Sequence, residues 1–258
     1  MSQAWVWAGA RAIGTAHLTQ GLPCQDTFAC RIWQEGAHPV LIAALADGAG
    51  SAECAEVGAQ LATSLVAKIA SEQLTQGTAA RQLTNVLRNA IGETRLALQL
   101  QAGHASRPID DFACTLLVAI LSIDGGIVGQ IGDGAVVIDD GEQGWQPVHW
   151  PDHGEYANTT HFLTEPDALD ALQLAILDRP VRRVCLFSDG LERLVLDFRN
   201  RSAHAPFFDA IFRAIEQHAG AGYAAHISRD LEALLGSEKI NCRTDDDKSL
   251  LCAALLAT

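Results

Sequence analysis

The chain reads as an α+β protein whose sheets are mostly antiparallel and carry helices on their outer sides. Three observations point there. The apolar runs come as strands, two long helices, strands, two helices and a last strand. Neighbouring strands are joined by hairpin turns such as Asp124-Gly125-Gly126. No repeat and no Pro- or Ser-rich linker divides the 258 residues, so a single domain over 1–258 is expected. A doubly wound parallel sheet would alternate strand and helix one by one, which matches less well.

The elements follow in order. Trp5 to Gly9 is a short apolar opening strand, and Phe28 to Trp33 and Val40 to Ala46 are the next two. The period then changes. Ala52 to Ser71 carries Val57, Leu61, Leu65, Ala67 and Ile69 at helical spacing, with Ser51 as N-cap and Glu53 in the first turn. Thr78 to Gln101 is a second helix, with Leu83, Val86, Leu87, Ile91, Leu96 and Leu98 mostly on one side. Strands return at Ala113 to Ile123, Gly126 to Ile131 and Ala135 to Asp139. Gly141 to Asn158 has no period and reads as a long loop, a kind often functional in compact domains, leading to a strand at His161 to Thr164. A short helix is expected at Asp167 to Leu177, a buried strand at Arg183 to Ser188, helices at Pro206 to His218 and Tyr223 to Leu235, and a final strand at Ser249 to Ala257.

The net charge of -13 argues against nucleic acid as a partner, because phosphate neutralisation needs clustered Lys and Arg. The start Met1-Ser2-Gln3-Ala4-Trp5 lacks the basic and apolar regions of a secretory signal. The apolar stretch Phe112 to Ile123 is far shorter than the roughly 18 residues a membrane helix requires. Seven cysteines without a C-x-x-C pair, three of them inside apolar strands, indicate free thiols in a reducing cytoplasm.

The chemistry lies in the aspartates. Asp47, Asp133 and Asp189 each end a strand-like apolar run and are each followed by glycine, while Asp245-Asp246-Asp247-Lys248 opens directly into one. Carboxylates at the mouths of core strands are costly to keep ionised, and several together repel. No Lys or Arg adjoins Asp47, Asp133 or Asp189, so hard divalent cations with oxygen ligands are the expected compensation. The turn Asp47-Gly48-Ala49-Gly50-Ser51 lets a carbonyl join the carboxylate as a ligand, and Asp26 stands before another strand. Two such cations about 3.5–4 Å apart can activate water and clamp a phosphoryl group. Against this stands the ordinary role of Asp-Gly pairs in turns. The histidines show no H-x-H or H-E-x-x-H spacing, which argues against a zinc hydrolase. Cys24 has no basic or histidine neighbour to make it a nucleophile. Gly48-Ala49-Gly50 lacks the Lys-Ser/Thr ending of a phosphate-binding loop.

The ordered set Asp26, Asp47-Gly48, Thr115, Gly132-Asp133, Ser188-Asp189-Gly190 and Asp246-Asp247-Lys248-Ser249 resembles the metal-dependent protein phosphatases of type 2C over the whole chain. Pro23-Cys24-Gln25-Asp26 and Gly154-Glu155-Tyr156-Ala157-Asn158 are most similar to the compact bacterial PphC-like subgroup. The resemblance implies a four-layer αββα sandwich with two metals, Mn²⁺ or Mg²⁺, at one end. It implies that Asp47 bridges them with the Gly48 carbonyl on one, that Asp189 and Asp246 complete the second, and that Asp26 acts through water. Asp133 with Asp189 would hold a weak third ion. The implied reaction is hydrolysis of phosphoserine or phosphothreonine in proteins without a phosphoenzyme, opposing a cognate kinase in the cytoplasm. Two positions depart from the pattern. Gly21 stands where many members carry a phosphate-gripping arginine, and Ala49 where many eukaryotic members carry a general-acid histidine. His17, Glu155 and Asn158 are candidates for those tasks. The departures also leave open a catalytically weak module that binds or senses phosphoproteins on the same fold.

Overall fold

The computed structural model describes residues 3–34, 38–75, 78, 80–151 and 160–257. Two main sheets organise them. The five-stranded sheet has the order β2-β3-β4-β5-β8, from β2 (Thr27–Trp33), β3 (Val40–Ala46), β4 (Leu116–Ser122), β5 (Gly125–Ile131) and β8 (Gln173–Leu177). The six-stranded sheet runs β12-β1-β13-β9-β6-β7. Its members are β1 (Gln3–Ala12), β6 (Ala135–Asp139), β7 (Gln146–Pro147), β9 (Arg183–Phe187), β12 (Gly222–Tyr223) and β13 (Lys248–Ala257). Every pairing in both is antiparallel except β1 with β12. A small ribbon pairs β10 (Leu196–Asp197) with β11 (Ser202–Ala203).

The central strands are apolar without alternation because both their faces are covered. Successive strand residues point to opposite sides. In β3, Leu41, Ala43 and Leu45 join a core with Leu117, Ala119 and Leu121 of β4 and with Trp5, Val184, Leu186 and Leu251 of the other sheet. Ile42, Ala44 and Ala46 turn the other way, onto α2 (Ala55–Gln73) and α3 (Ala80–Ala105). The six-stranded sheet likewise buries Cys185, Phe187, Leu250 and Cys252 against Phe208 and Phe212 of α5 (Ala205–Glu216) and Ile227 and Leu231 of α6 (Ala225–Leu235). The mixed α+β reading with two mostly antiparallel sheets is what the chain adopts.

Several boundaries differ from expectation. The first long helix starts at Ala55, not Ala52, and its N-cap is Cys54 without a side-chain bond, not Ser51. Residues 52–54 are used in turns instead: Ala52 N–H bonds Ala49 O, and Cys54 N–H bonds Asp111 O. The inner face of α2 is alanine-rich, with Ala59, Ala62, Ala67 and Ala70 buried beside Val66, while Val57 faces out. Leu96 of α3 is 55% exposed, outside the buried stripe. The expected strand at 161–164 is a turn held by Leu163 N–H on Cys114 O. The expected helix at 167–177 makes only one turn and then becomes β8. There the open edge of β5 supplies backbone partners for Gln173–Leu177, and pairing outweighs local helical spacing. α1 (Thr15–Gln20), α4 (Asp189–Val195) and α7 (Glu238–Asn241) were not foreseen. Asp189 therefore opens a helix rather than a loop.

Candidate active site

Strand register brings the aspartates together. In the β2–β3 pair Thr27 stands opposite Ala46, so Asp26 and Asp47, one residue further on each, share a sheet end. In the β6–β9 pair Ala135 stands opposite Phe187, which sets Asp133 and Asp189 at the end of the second sheet. β13 pairs β9 with Leu250 opposite Phe187, so the run 245–247 enters at that same end.

Local bonds fix each group. Asp47 N–H donates to Thr115 Oγ1 at 3.0 Å, and Thr115 N–H returns a bond to Asp47 O at 2.8 Å. Gly48, beside it, bridges to Cys114. Ser188 Oγ donates to Asp26 Oδ2 at 2.6 Å and accepts from Ser249 N–H at 3.0 Å, which ties Asp26 to both β9 and β13. Thr160 Oγ1 donates to Asp133 Oδ2 at 2.5 Å.

Three carboxyls meet at the centre. Asp47 lies close enough to Asp26 and Asp189 for the three carboxyls to act on one another. Burial pushes Asp47 well above the ordinary carboxyl range, and the charges of Asp26 and Asp189 push it further. Burial likewise raises Asp26 to about 7 against the lowering bonds from Ser188 and Asp47. Asp189 rises to about 6, chiefly by burial, with Asp133 and Asp246 adding repulsion. Asp133 and Asp246 stand with Asp189 along a cleft of about 680 Å³. Asp246 is itself pushed up, first by desolvation and then by Asp247 and Asp245, and its Oδ1 accepts from Asp247 N–H at 2.8 Å.

Packed carboxyls of this kind persist only with protons or cations between their oxygens. The donor set is all oxygen, as hard divalent ions require. Oδ1 of Asp26 and Oδ1 of Asp189 are buried with no hydrogen-bond partner among the described residues. The all-oxygen donors and the two orphaned carboxyl oxygens fit hard divalent cations such as Mg²⁺ or Mn²⁺.

Sequence reasoning missed some participants. Glu192, one helical turn beyond Asp189 in α4, is buried and accepts from Gly134 N–H at 2.9 Å. Burial, followed by Asp189 and Asp133, raises it to about 8. Only its i,i+3 spacing from Asp189 could have flagged it. Asp247, grouped with its neighbours as one acidic run, is buried and takes structural bonds from Gly14 N–H and Gln25 N–H, both at 2.6 Å. Lys248, read as part of the motif, is fully buried and donates to Asn241 Oδ1 at 2.9 Å. His17 sits on α1 beside Asp247. Glu155, Tyr156 and Asn158 lie outside the described residues.

Cys24 is no nucleophile. Burial, with the charges of Asp26 and Asp247, raises its thiol to about 12, so the thiolate is scarce at neutral pH. Cys24→Ser is expected to keep most phosphatase turnover, measured as phosphate release. A loss as deep as that of an aspartate variant would point to thiol chemistry.

Known proteins resemble this chain in sequence and in fold. The family model for protein phosphatase 2C matches residues 13–236. The serine/threonine-protein phosphatase 3 of Escherichia coli (strain K12) is 37% identical, over 96% of this chain and 98% of that protein. Among solved structures, the serine/threonine phosphatase Stp1 from Staphylococcus aureus aligns at TM-score 0.64 and 16% identity, covering 97% of this chain and 95% of that one. The catalytic domain of the serine threonine protein phosphatase PstP, in complex with 2 manganese ions, aligns at TM-score 0.58 and 19% identity, covering 99% and 100%. The solved structures share the fold of two mostly antiparallel sheets flanked by helices. The chain belongs to the protein phosphatase 2C family, the metal-dependent serine/threonine-protein phosphatases, with bacterial relatives.

Proposed function

We propose that residues 1–258 form one four-layer αββα domain that hydrolyses phosphoserine and phosphothreonine in proteins at a centre of two Mn²⁺ or Mg²⁺ ions. The observation that carries this reading is the convergence of Asp26, Asp47 and Asp189 at the sheet ends, where burial pushes each carboxyl above its ordinary range. The layering rests on three successive cores, one between the sheets and one under each helix set. Asp47 with the Gly48 carbonyl, and Asp189 with Asp246, would hold the two ions, and Asp133 with Asp189 a weaker third. Bound there, the ions lower the pKa of water and offset phosphoryl charge.

The chain's own groups do the rest. Thr115 fixes the Asp47 backbone from both sides. Ser188 holds Asp26 through Oδ2, which leaves Oδ1 to accept a hydrogen bond from the attacking water. The cleft beside Asp189 receives the phosphorylated segment. The partners are a phosphoprotein and the kinase that modifies it. The odd number of cysteines without a C-x-x-C pair supports a cytoplasmic location. Among the described residues no helix is long and apolar enough to cross a membrane.

Phosphate release from a phosphothreonine peptide is expected with Mn²⁺ or Mg²⁺ and is expected to stop in excess chelator. Undiminished release in chelator would remove the metal centre. No release with either ion, but retained peptide binding, would favour the binding-module reading.

A further inference from the structure

The phosphatase reading leaves the leaving oxygen without a proton donor, since Ala49 occupies the position where the resemblance would put a histidine. The structure supplies another candidate. α1 is clamped onto the run 245–247: Ala16 N–H donates to Asp245 O at 2.9 Å and Gly14 N–H to Asp247 Oδ1 at 2.6 Å. Gly14 is needed for this approach, because a Cβ there would stand 2.4 Å from Asp245 O. The helix ends on Gly21, whose φ of 68° is left-handed and whose N–H bonds His17 O and Leu18 O. The position expected to carry the phosphate-binding arginine is thus used to stop a helix, where any Cβ is strained.

His17 is the residue this helix presents. Its Nδ1 lies 2.9 Å from Asp247 Oδ2, and its side chain is only 13% exposed. Asp247 also receives two backbone N–H groups, so its carboxylate is an acceptor throughout and Nδ1 must carry the hydrogen. Nε2 is left for proton exchange. It lies 4.0 Å from where a Cβ on Gly50 would stand, on the turn that begins at Asp47 and includes Ala49. A histidine of a plain surface loop would have no buried carboxylate fixing its ring.

We propose, resting on the phosphatase reading above, that His17 is the proton donor to the leaving serine or threonine oxygen and that Asp247 is its positioning residue. A water oxygen bonds to phosphorus as the phosphorus–oxygen ester bond breaks. The electron pair of that bond leaves on the side-chain oxygen, which takes the Nε2 proton of His17. The neutral imidazole recovers, through solvent, the proton that the water releases. The products are the free hydroxyl and inorganic phosphate.

The test compares full-length parent, His17→Ala and His17→Asn with saturating Mn²⁺ on two substrates. A phosphothreonine peptide has a basic leaving group that needs a proton; p-nitrophenyl phosphate has one that needs little. Asn can keep the bond to Asp247 that Nδ1 makes but has nothing in place of Nε2. Both variants are expected to lower the ratio of peptide to p-nitrophenyl phosphate turnover by about 10²-fold or more, within the range of general acid catalysis. Mn²⁺ affinity by calorimetry is expected to stay at the parent value. An unchanged ratio, recovery in His17→Asn, or a fall in Mn²⁺ affinity that accounts for the loss would overturn the role of His17 alone. A parent inactive on both substrates would overturn the phosphatase reading as well.

Discussion

Asp47→Asn and Asp189→Asn are each expected to reduce phosphate release to near background in Mn²⁺. Each keeps the side-chain shape and removes one ligand charge. Lewis-acid stabilisation by a bound ion amounts to several kcal/mol, so the loss should reach about 10³-fold or more. Asp47 should be the worse of the two, since both Asp26 and Asp189 act on it. The fold should survive, because an amide in that crowded position relieves repulsion between carboxylates. Calorimetry should show weakened Mn²⁺ binding alongside the lost turnover. Either variant retaining a tenth of parental activity with intact binding would remove its aspartate from the centre.

The protein in chelator is expected to lose stability as pH rises from about 5 to about 8. The sign follows from the carboxyls. Asp189, Asp26 and Glu192 stand at about 6, about 7 and about 8 in the folded chain, against ordinary values of 3.8 and 4.5. Between those limits the folded state holds protons that the unfolded chain has released, so stability falls with rising pH. The contribution is complete below the ordinary values and gone above the raised ones. Burial of His149 shifts its pKa down and works in the opposite direction, but it is one group against five raised carboxyls, Asp26, Asp47, Asp189, Glu192 and Asp246. Mn²⁺ replaces those protons, so it should raise the melting temperature more at pH 8 than at pH 5. A chelated protein whose melting temperature is level or rises over that range would show that the carboxyls are not held in this way.

The site was legible to the extent that strand ends are legible. Asp47, Asp133 and Asp189 stood out because each borders a continuous apolar run, Asp26 through its place before a strand and the family resemblance, and the antiparallel register then brings them together in pairs. Asp246 was found by the same signal read from the other end of a strand. The distinction between Asp246 and Asp247 was not legible. They are adjacent and chemically identical, and only the backbone N–H groups of Gly14 and Gln25 make Asp247 a structural acceptor. Glu192 and Ser188 likewise gain their partners, Gly134 and Asp26, across long sequence separations.

By itself the sequence determined the mixed α+β class and the order of most strands and helices, because these depend on hydrophobic period, and it marked aspartates that the strand register gathers at the sheet ends. Tertiary structure alone decided that residues 173–177 form an edge strand, since the free backbone of β5 outweighs local helical spacing. It alone decided that α2 buries its alanine face, Ala59, Ala62, Ala67 and Ala70, against the sheet. It decided, too, that His17 faces the carboxylate turn. That orientation depends on a buried carboxylate 230 residues away, which no local pattern in the chain encodes.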